Sequence, residues 1–174
     1  MAGKLLEINS SVLTGAVSSV KLTGIDTDNV YKLVMTNITP STINADVILR
    51  LTEGGTASTD TDYDESAKQP RSDTTFSDLA DTNRSIFVLS GSLNNTVGKG
   101  FNAVVNIFNA NNSAQYTYIT IETCYIAEDG STLLGIQGGG VYTQTTAVDG
   151  IEITLEGPVS NIASGSIALY EVLA

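Results

Sequence analysis

The run Phe101-Asn-Ala-Val-Val-Asn-Ile107 places Phe101, Ala103, Val105 and Ile107 in one phase of a two-residue period, with Asn102 and Asn106 in the other. Successive side chains of a strand point to opposite faces, so this reads as a strand with one buried and one polar face. The same period recurs on both sides of it. Towards the N-terminus, Val20 and Leu22 alternate with Ser19 and Lys21, and Tyr31, Leu33 and Met35 with Lys32, Val34 and Thr36. Val47, Leu49 and Leu51 then set Arg50 on the opposite face. Towards the C-terminus, Ile119, Ile121 and Tyr125 oppose Thr120 and Glu122, and Ile151, Ile153 and Leu155 oppose Glu152, Thr154 and Glu156. Ile167, Leu169 and Leu173 share the last inward face, with Ala168, Tyr170 and Val172 opposite. Further strands are expected near residues 3–8, 11–14, 85–90 and 133–143. Turn residues separate the runs, as in Thr23-Gly24-Ile25-Asp26 and Thr39-Pro40-Ser41, and Asp129-Gly130 is a hairpin signal. No stretch holds a 3.6-residue period over three turns. The pattern predicts an all-β fold: an antiparallel β-sandwich, jelly-roll-like, of about ten strands with one long acidic loop.

That loop is residues 53–84, rich in Gly, Ser, Thr and Asp, with eight acidic and three basic residues for a net charge of −5. Its main apolar residues are Tyr63, Phe76 and Leu79, and Ser77-Asp-Leu-Ala-Asp81 reads as one helical turn. A connection of this length is either solvated surface or an arm that orders on a neighbouring subunit. Residues 1–14 form an N-terminal strand or arm, and 15–174 a single domain. Leu5, Leu6, Ile8, Val12 and Leu13 make the first segment either an ordinary edge strand or one that adds to a neighbour's sheet. These five, with Tyr63, Phe76 and Leu79, are the candidate interface residues.

Composition narrows the chemistry. The 174 residues hold no His and one Cys, Cys124. That excludes Ser-His-Asp and Cys-His catalysis, imidazole metal ligation, an intrachain disulfide and Cys-based zinc sites. A net charge of −11 opposes binding to nucleic acid or to an anionic membrane surface. No apolar run reaches about 18 residues, as a membrane-spanning helix requires. Glu7 interrupts what a secretory leader would need as its apolar stretch. Ser, Thr and Asn together supply 52 residues, which suits a neutral, hydroxyl-rich β surface.

The remaining motifs are weaker than they look. Asp60-x-Asp62-x-Asp64 begins like a calcium loop, but Glu65 stands where Gly is required and Arg71 where a bidentate Glu is required. A solvated acidic loop accounts for it, so no metal or other cofactor is expected. Gly138-Gly139-Gly140 lacks the ending of a phosphate loop and marks a bulge, a bend or a close backbone approach. Cys124, in Ile121-Glu-Thr-Cys-Tyr-Ile126, has no base beside it in sequence and reads as a buried, inert thiol. Glu152 and Glu156 are the kind of acid pair that any acidic β-protein offers by chance.

Leu22-Thr-Gly-Ile-Asp26, Val30-Tyr-Lys-Leu-Val-Met-Thr-Asn-Ile38 and Ala45-Asp-Val-Ile-Leu-Arg-Leu51, taken in order, are similar to a stretch of virion proteins of tailed bacteriophages. Asp60-Thr-Asp-Tyr63 resembles the end of that family's following polar loop. Ala163-Ser-Gly-Ser166 and Gly165-Ser-Ile-Ala-Leu-Tyr-Glu-Val-Leu173 resemble its closing strand, with Glu171 where the family has Gly. The resemblance implies a jelly-roll-like sandwich on the particle surface, made in the host cytoplasm and non-enzymatic. Its partners would be the major capsid protein or other virion subunits, and copies of itself, most commonly as a homotrimer. The leading expectation is a capsid decoration (cement) protein that stabilises the shell. The alternative is the receptor-binding head of a short tail or head fibre that recognises a host surface glycan.

Overall fold

The computed structural model describes residues 3–74, 76–157 and 161–173. Fourteen strands are found among them: β1 (Lys4–Leu13), β2 (Ser19–Thr23), β3 (Val30–Pro40), β4 (Asp46–Glu53), β5 (Thr56–Ala57), β6 (Tyr63–Gln69), β7 (Ser77–Arg84), β8 (Phe87–Val88), β9 (Phe101–Phe108), β10 (Thr117–Ile126), β11 (Leu133–Leu134), β12 (Gln137–Tyr142), β13 (Gly150–Glu156) and β14 (Ile162–Leu173). They form two antiparallel sheets. The larger runs β1-β14-β3-β9-β10-β12-β6-β7, with β11 on β10; the smaller runs β2-β13-β4-β5, with β8 on β4. β1 pairs with β14 and β2 with β13, while the chain changes sheet between β1, β2, β3 and β4 in turn. The two chain ends thus run as antiparallel pairs in both sheets of an antiparallel β-sandwich.

The inward phases of the alternating runs make the core. Tyr31, Leu33, Val105, Ile107, Leu49, Leu51, Ile151, Ile153, Ile167 and Leu169 are fully buried between the sheets. Non-directional burial of such side chains is the dominant favourable term in folding. The Asp129-Gly130 turn closes the β10–β11 hairpin as the sequence predicts. Gly130 has φ 74°, and the Asp129 carboxylate accepts from Ser131 N (2.8 Å), Thr132 N (2.9 Å) and Thr132 Oγ1 (2.5 Å).

Several sequence expectations differ from the structure: there are fourteen strands among the described residues rather than about ten, and the 133–143 run is divided into β11 and β12. Residues 3–8 and 11–14 belong to one strand, because a bulge between Glu7 and Asn9 shifts the phase of β1 and breaks its sequence pattern in two. The 85–90 run keeps only the two paired residues of β8. Segment 53–84 is not an unstructured loop but carries β5 and the hairpin β6–β7, which adds two strands to the large sheet. Ser77–Asp81 accordingly lies in strand β7, not in a helical turn. The hairpin hides from pattern reading because its inward phase mixes Tyr63, Ala67 and Leu79 with Glu65 and Asp81.

Tyr63 is the anchor of that hairpin. It is fully buried, meets Phe87 edge-on at 4.8 Å between ring centroids and Tyr142 at 4.7 Å, and its hydroxyl accepts from Leu51 N (3.1 Å). Glu171, the departure from the family pattern, is also buried. Its Oε1 accepts from Thr27 Oγ1 (2.6 Å) and Asn29 Nδ2 (2.8 Å), which fastens the β2–β3 turn to β14.

Candidate functional site

The large sheet covers the core with one face and leaves the other open. On the open face the central strands carry rows of neighbouring residues. Ala168, Val34, Val104 and Glu122 stand in register across β14, β3, β9 and β10. Tyr170, Lys32, Asn106 and Thr120 form the next row, and Phe108, Tyr118 and Val141 a third across β9, β10 and β12. Lys32 and Glu122 are the charged residues on this face over β14, β3, β9 and β10. The outer face of the small sheet differs: Lys21, Glu152 and Arg50 lie in register across β2, β13 and β4. One outer face of the sandwich is therefore charged; the other sets apolar residues among Thr, Asn and Ser and, over β14, β3, β9 and β10, carries one charge of each sign.

A groove of about 550 Å³ crosses the apolar face, floored by Val34, Thr36, Asn102, Val104 and Cys124. Its wall is the β6–β7 connection, which is stitched to β11. Ser72 N donates to Leu133 O (3.0 Å), Gly135 N to Pro70 O (3.1 Å) and Leu133 N to Ser72 Oγ (2.9 Å). Arg71 on the rim grips Asp73 in a bidentate pair at 2.9 and 2.8 Å. This holds the Asp73 carboxyl below its usual range. The thiol of Cys124 is exposed in the groove, contrary to the expected buried site: in β10 it falls in the outward phase with Glu122 and Thr120.

The Gly138–Gly140 run has the structural role expected of it. A Cβ on Gly138 would lie 2.4 Å from Ser66 O and 2.5 Å from Ala67 Cα, so β12 approaches β6 as only glycine permits. A second, shallower depression of about 450 Å³ lies over Gly139 and Gly140, bordered by Tyr118, Ser66 and Thr82.

Carboxylates gather where the β6–β7 hairpin meets the small sheet. Glu65 stands opposite Asp81, and Asp46 opposite Glu156. Glu65 is buried; its Oε2 accepts from Val88 N (2.9 Å), while Oε1 has no hydrogen-bond partner among the described residues. Burial first, then Asp81, pushes its carboxyl up to about 7. Burial, then Glu156 and Glu128, pushes Asp46 up to about 6. The Asp60-x-Asp62-x-Asp64 side chains do not converge: Asp62 Oδ2 accepts from Gln144 Nε2 (2.7 Å) and Asp64 Oδ1 from Asn83 N (2.8 Å). No group of three acids, cysteines or histidines among the described residues is placed to hold a metal ion.

Of the interface candidates, Leu5, Leu6, Val12 and Phe76 are exposed, Val12 at 75% and Phe76 at 66%. Ile8 and Leu79 are half-buried and pack on the core, and Leu13 and Tyr63 are buried within it. Leu13 and Tyr63 are therefore core residues rather than interface residues. The sequence carries a signal for the open sheet face: Val34, Val104 and Phe108 occupy the outward phase of their strands, where a solvated face carries polar residues.

No family model matches the chain, and neither the curated proteins nor the solved structures hold a significant match to it.

Proposed function

We propose that the chain is a non-enzymatic structural subunit of a virus particle, set on the outside of the shell of a tailed bacteriophage as a decoration protein. The observation that carries this reading is strand β1. It pairs with β14 on one side, forms the border of the large sheet on the other, and exposes Leu5, Leu6 and Val12 along ten residues. Apolar edge strands are liabilities in a protein that works alone and docking elements in one that assembles. Phe76, at the end of the β6–β7 connection, is a further exposed apolar contact. The particle setting rests on the resemblance of the strand motifs, and the partner it implies is the major capsid protein or another virion subunit.

Mass spectrometry of purified particles tests the reading. Hundreds of copies per particle are expected of a shell decoration; a few to a few tens indicate a fibre, and absence of the chain refutes a virion role. The triple variant Leu5→Glu, Leu6→Glu, Val12→Lys alters exposed side chains only. It is expected to stay folded and to lower particle occupancy by roughly tenfold or more, since each lost apolar contact is worth about 1–2 kcal/mol.

A further inference from the structure

We infer that the open face of the large sheet is an interface between two copies of this chain. The inference rests on the assembly reading above and names the partner that covers this face.

The first argument is electrostatic. Each copy carries a net charge of −11, so two copies repel wherever acidic surfaces meet. The β6–β7 hairpin, residues 63–84, holds five acids against three bases, with Asp78 paired to Lys68 and Asp81 to Arg84, and so keeps a net acidic charge that disfavours a like-charged partner there. The centre of the open face is where that repulsion is smallest, because Lys32 and Glu122 offset one another. Their placement is also complementary. A twofold axis lying along β9 exchanges β3 with β10, which brings Lys32 of one copy against the Thr120–Glu122 stretch of the other. An isologous contact of this kind is the commonest symmetric solution for a soluble protein.

The second argument is size. From β1, whose exposed Glu7 stands in register with Tyr170 at the border, to β12 the face spans five strand spacings, roughly 24 Å, and from Val30 to Thr36 it runs roughly 20 Å along β3. That is on the order of 500 Å² per copy, about 1,000 Å² for a pair, which meets the lower bound for a specific interface. Its apolar contacts are Val34, Val104 and Phe108, flanked by Tyr118 and Tyr170, and they border the Lys32, Asn106 and Thr120 row and Glu122.

Cys124, the chain's sole cysteine, stands on this face and reports on it. In the isolated protein at about 100 µM, light scattering behind a sizing column is expected to give the mass of two copies. The thiol is expected to react with a bulky maleimide at least roughly tenfold more slowly than after dilution to about 1 µM, where mass action favours single copies. The variant Val104→Lys places its charge beside Glu122 of its own chain, so the fold tolerates it. It is expected to have the mass of one copy and a concentration-independent thiol rate. A wild-type protein that stays single at about 100 µM overturns the inference. So does an oligomer whose Cys124 reacts as fast as in Val104→Lys, since its interface then lies elsewhere. Should Val104→Lys fail to fold, the dilution series on the wild type decides alone. None of these outcomes depends on finding the chain in particles, so failure of the pairing and failure of the virion reading remain separate.

Discussion

Glu65 concentrates an electrostatic cost at one position: a buried carboxyl with one oxygen unpartnered among the described residues, Asp81 directly across from it and Arg84 as a favourable charge. Its folded value of about 7 lies above the ordinary 4.5, so the folded state holds the proton more tightly than the unfolded chain. Stability from this residue is therefore full below about 4.5 and is lost as pH rises towards 7. Asp46, raised from 3.8 to about 6 with Glu156 and Glu128 facing it, acts in the same direction over a lower window. Asp129 acts in the opposite direction. Its value is held down to about 2, chiefly by the Thr132 hydroxyl, so its contribution exists above 3.8 and disappears as pH falls towards 2. The molecule is expected to be most stable near pH 4–5, lower than most proteins. Thermal melts at pH 5 and pH 8 check this: the wild type is expected to melt about 5 °C lower at pH 8, from a cost on the order of 2 kcal/mol. Glu65→Gln is expected to remove most of that difference, leaving the part due to Asp46. A wild-type melt that rises from pH 5 to pH 8 would contradict the assignment.

Strand β1 has two roles that sequence alone does not separate. It presents exposed side chains at the border, and it is one of the two neighbours of β14, in register from Lys4–Leu173 to Leu13–Gly165. Removing residues 4–13 therefore strips β14 of half its ladder and exposes the core beside Leu13. A loss of roughly 3 kcal/mol or more is expected, read as a lower urea midpoint, and an unchanged midpoint would make β1 a dispensable arm. For the same reason point variants, not truncation, isolate its docking role. The elements legible in sequence were those whose phase never slips: β9, β10 and β13 alternate cleanly from end to end. β1 shows in sequence as two runs because its bulge breaks the phase. β3 also changes phase, between Met35 and Ile38, where Asn37 takes φ 53° and donates its N–H to Asn102 Oδ1 (3.0 Å). The β6–β7 hairpin was illegible because an edge hairpin with little core to cover needs few apolar residues. Of the eight candidate interface residues, Leu5, Leu6, Val12 and Phe76 are exposed. The open sheet face is hard to read from sequence because Val34, Val104 and Phe108 sit inside runs that their inward residues already explain.

At the scale of the whole molecule, the charge that sequence locates in residues 53–84 becomes a property of one end of the sandwich. The hairpin brings Glu65, Asp78 and Asp81 towards the seam where Asp46 and Glu156 face each other, while the centre of the large sheet stays close to neutral. A strongly acidic molecule with a neutral face has contacts of opposite salt dependence. Two copies that meet on the neutral face are held by apolar burial and opposed by the repulsion of their acidic ends. At about 0.01 M salt the Debye length of roughly 30 Å lets those ends interact across the pair; at about 0.15 M it falls to roughly 8 Å and most of the repulsion is screened. Pairing of copies is therefore expected to tighten as salt rises over this range. Attachment of the acidic end to a basic surface on another virion subunit is expected to weaken over the same range, because screening removes its attraction. Light scattering of the isolated protein and occupancy on particles, measured across one salt series, read the two signs separately. Self-association that weakens with salt would place the contact on charged surface and exclude the sheet face as its seat.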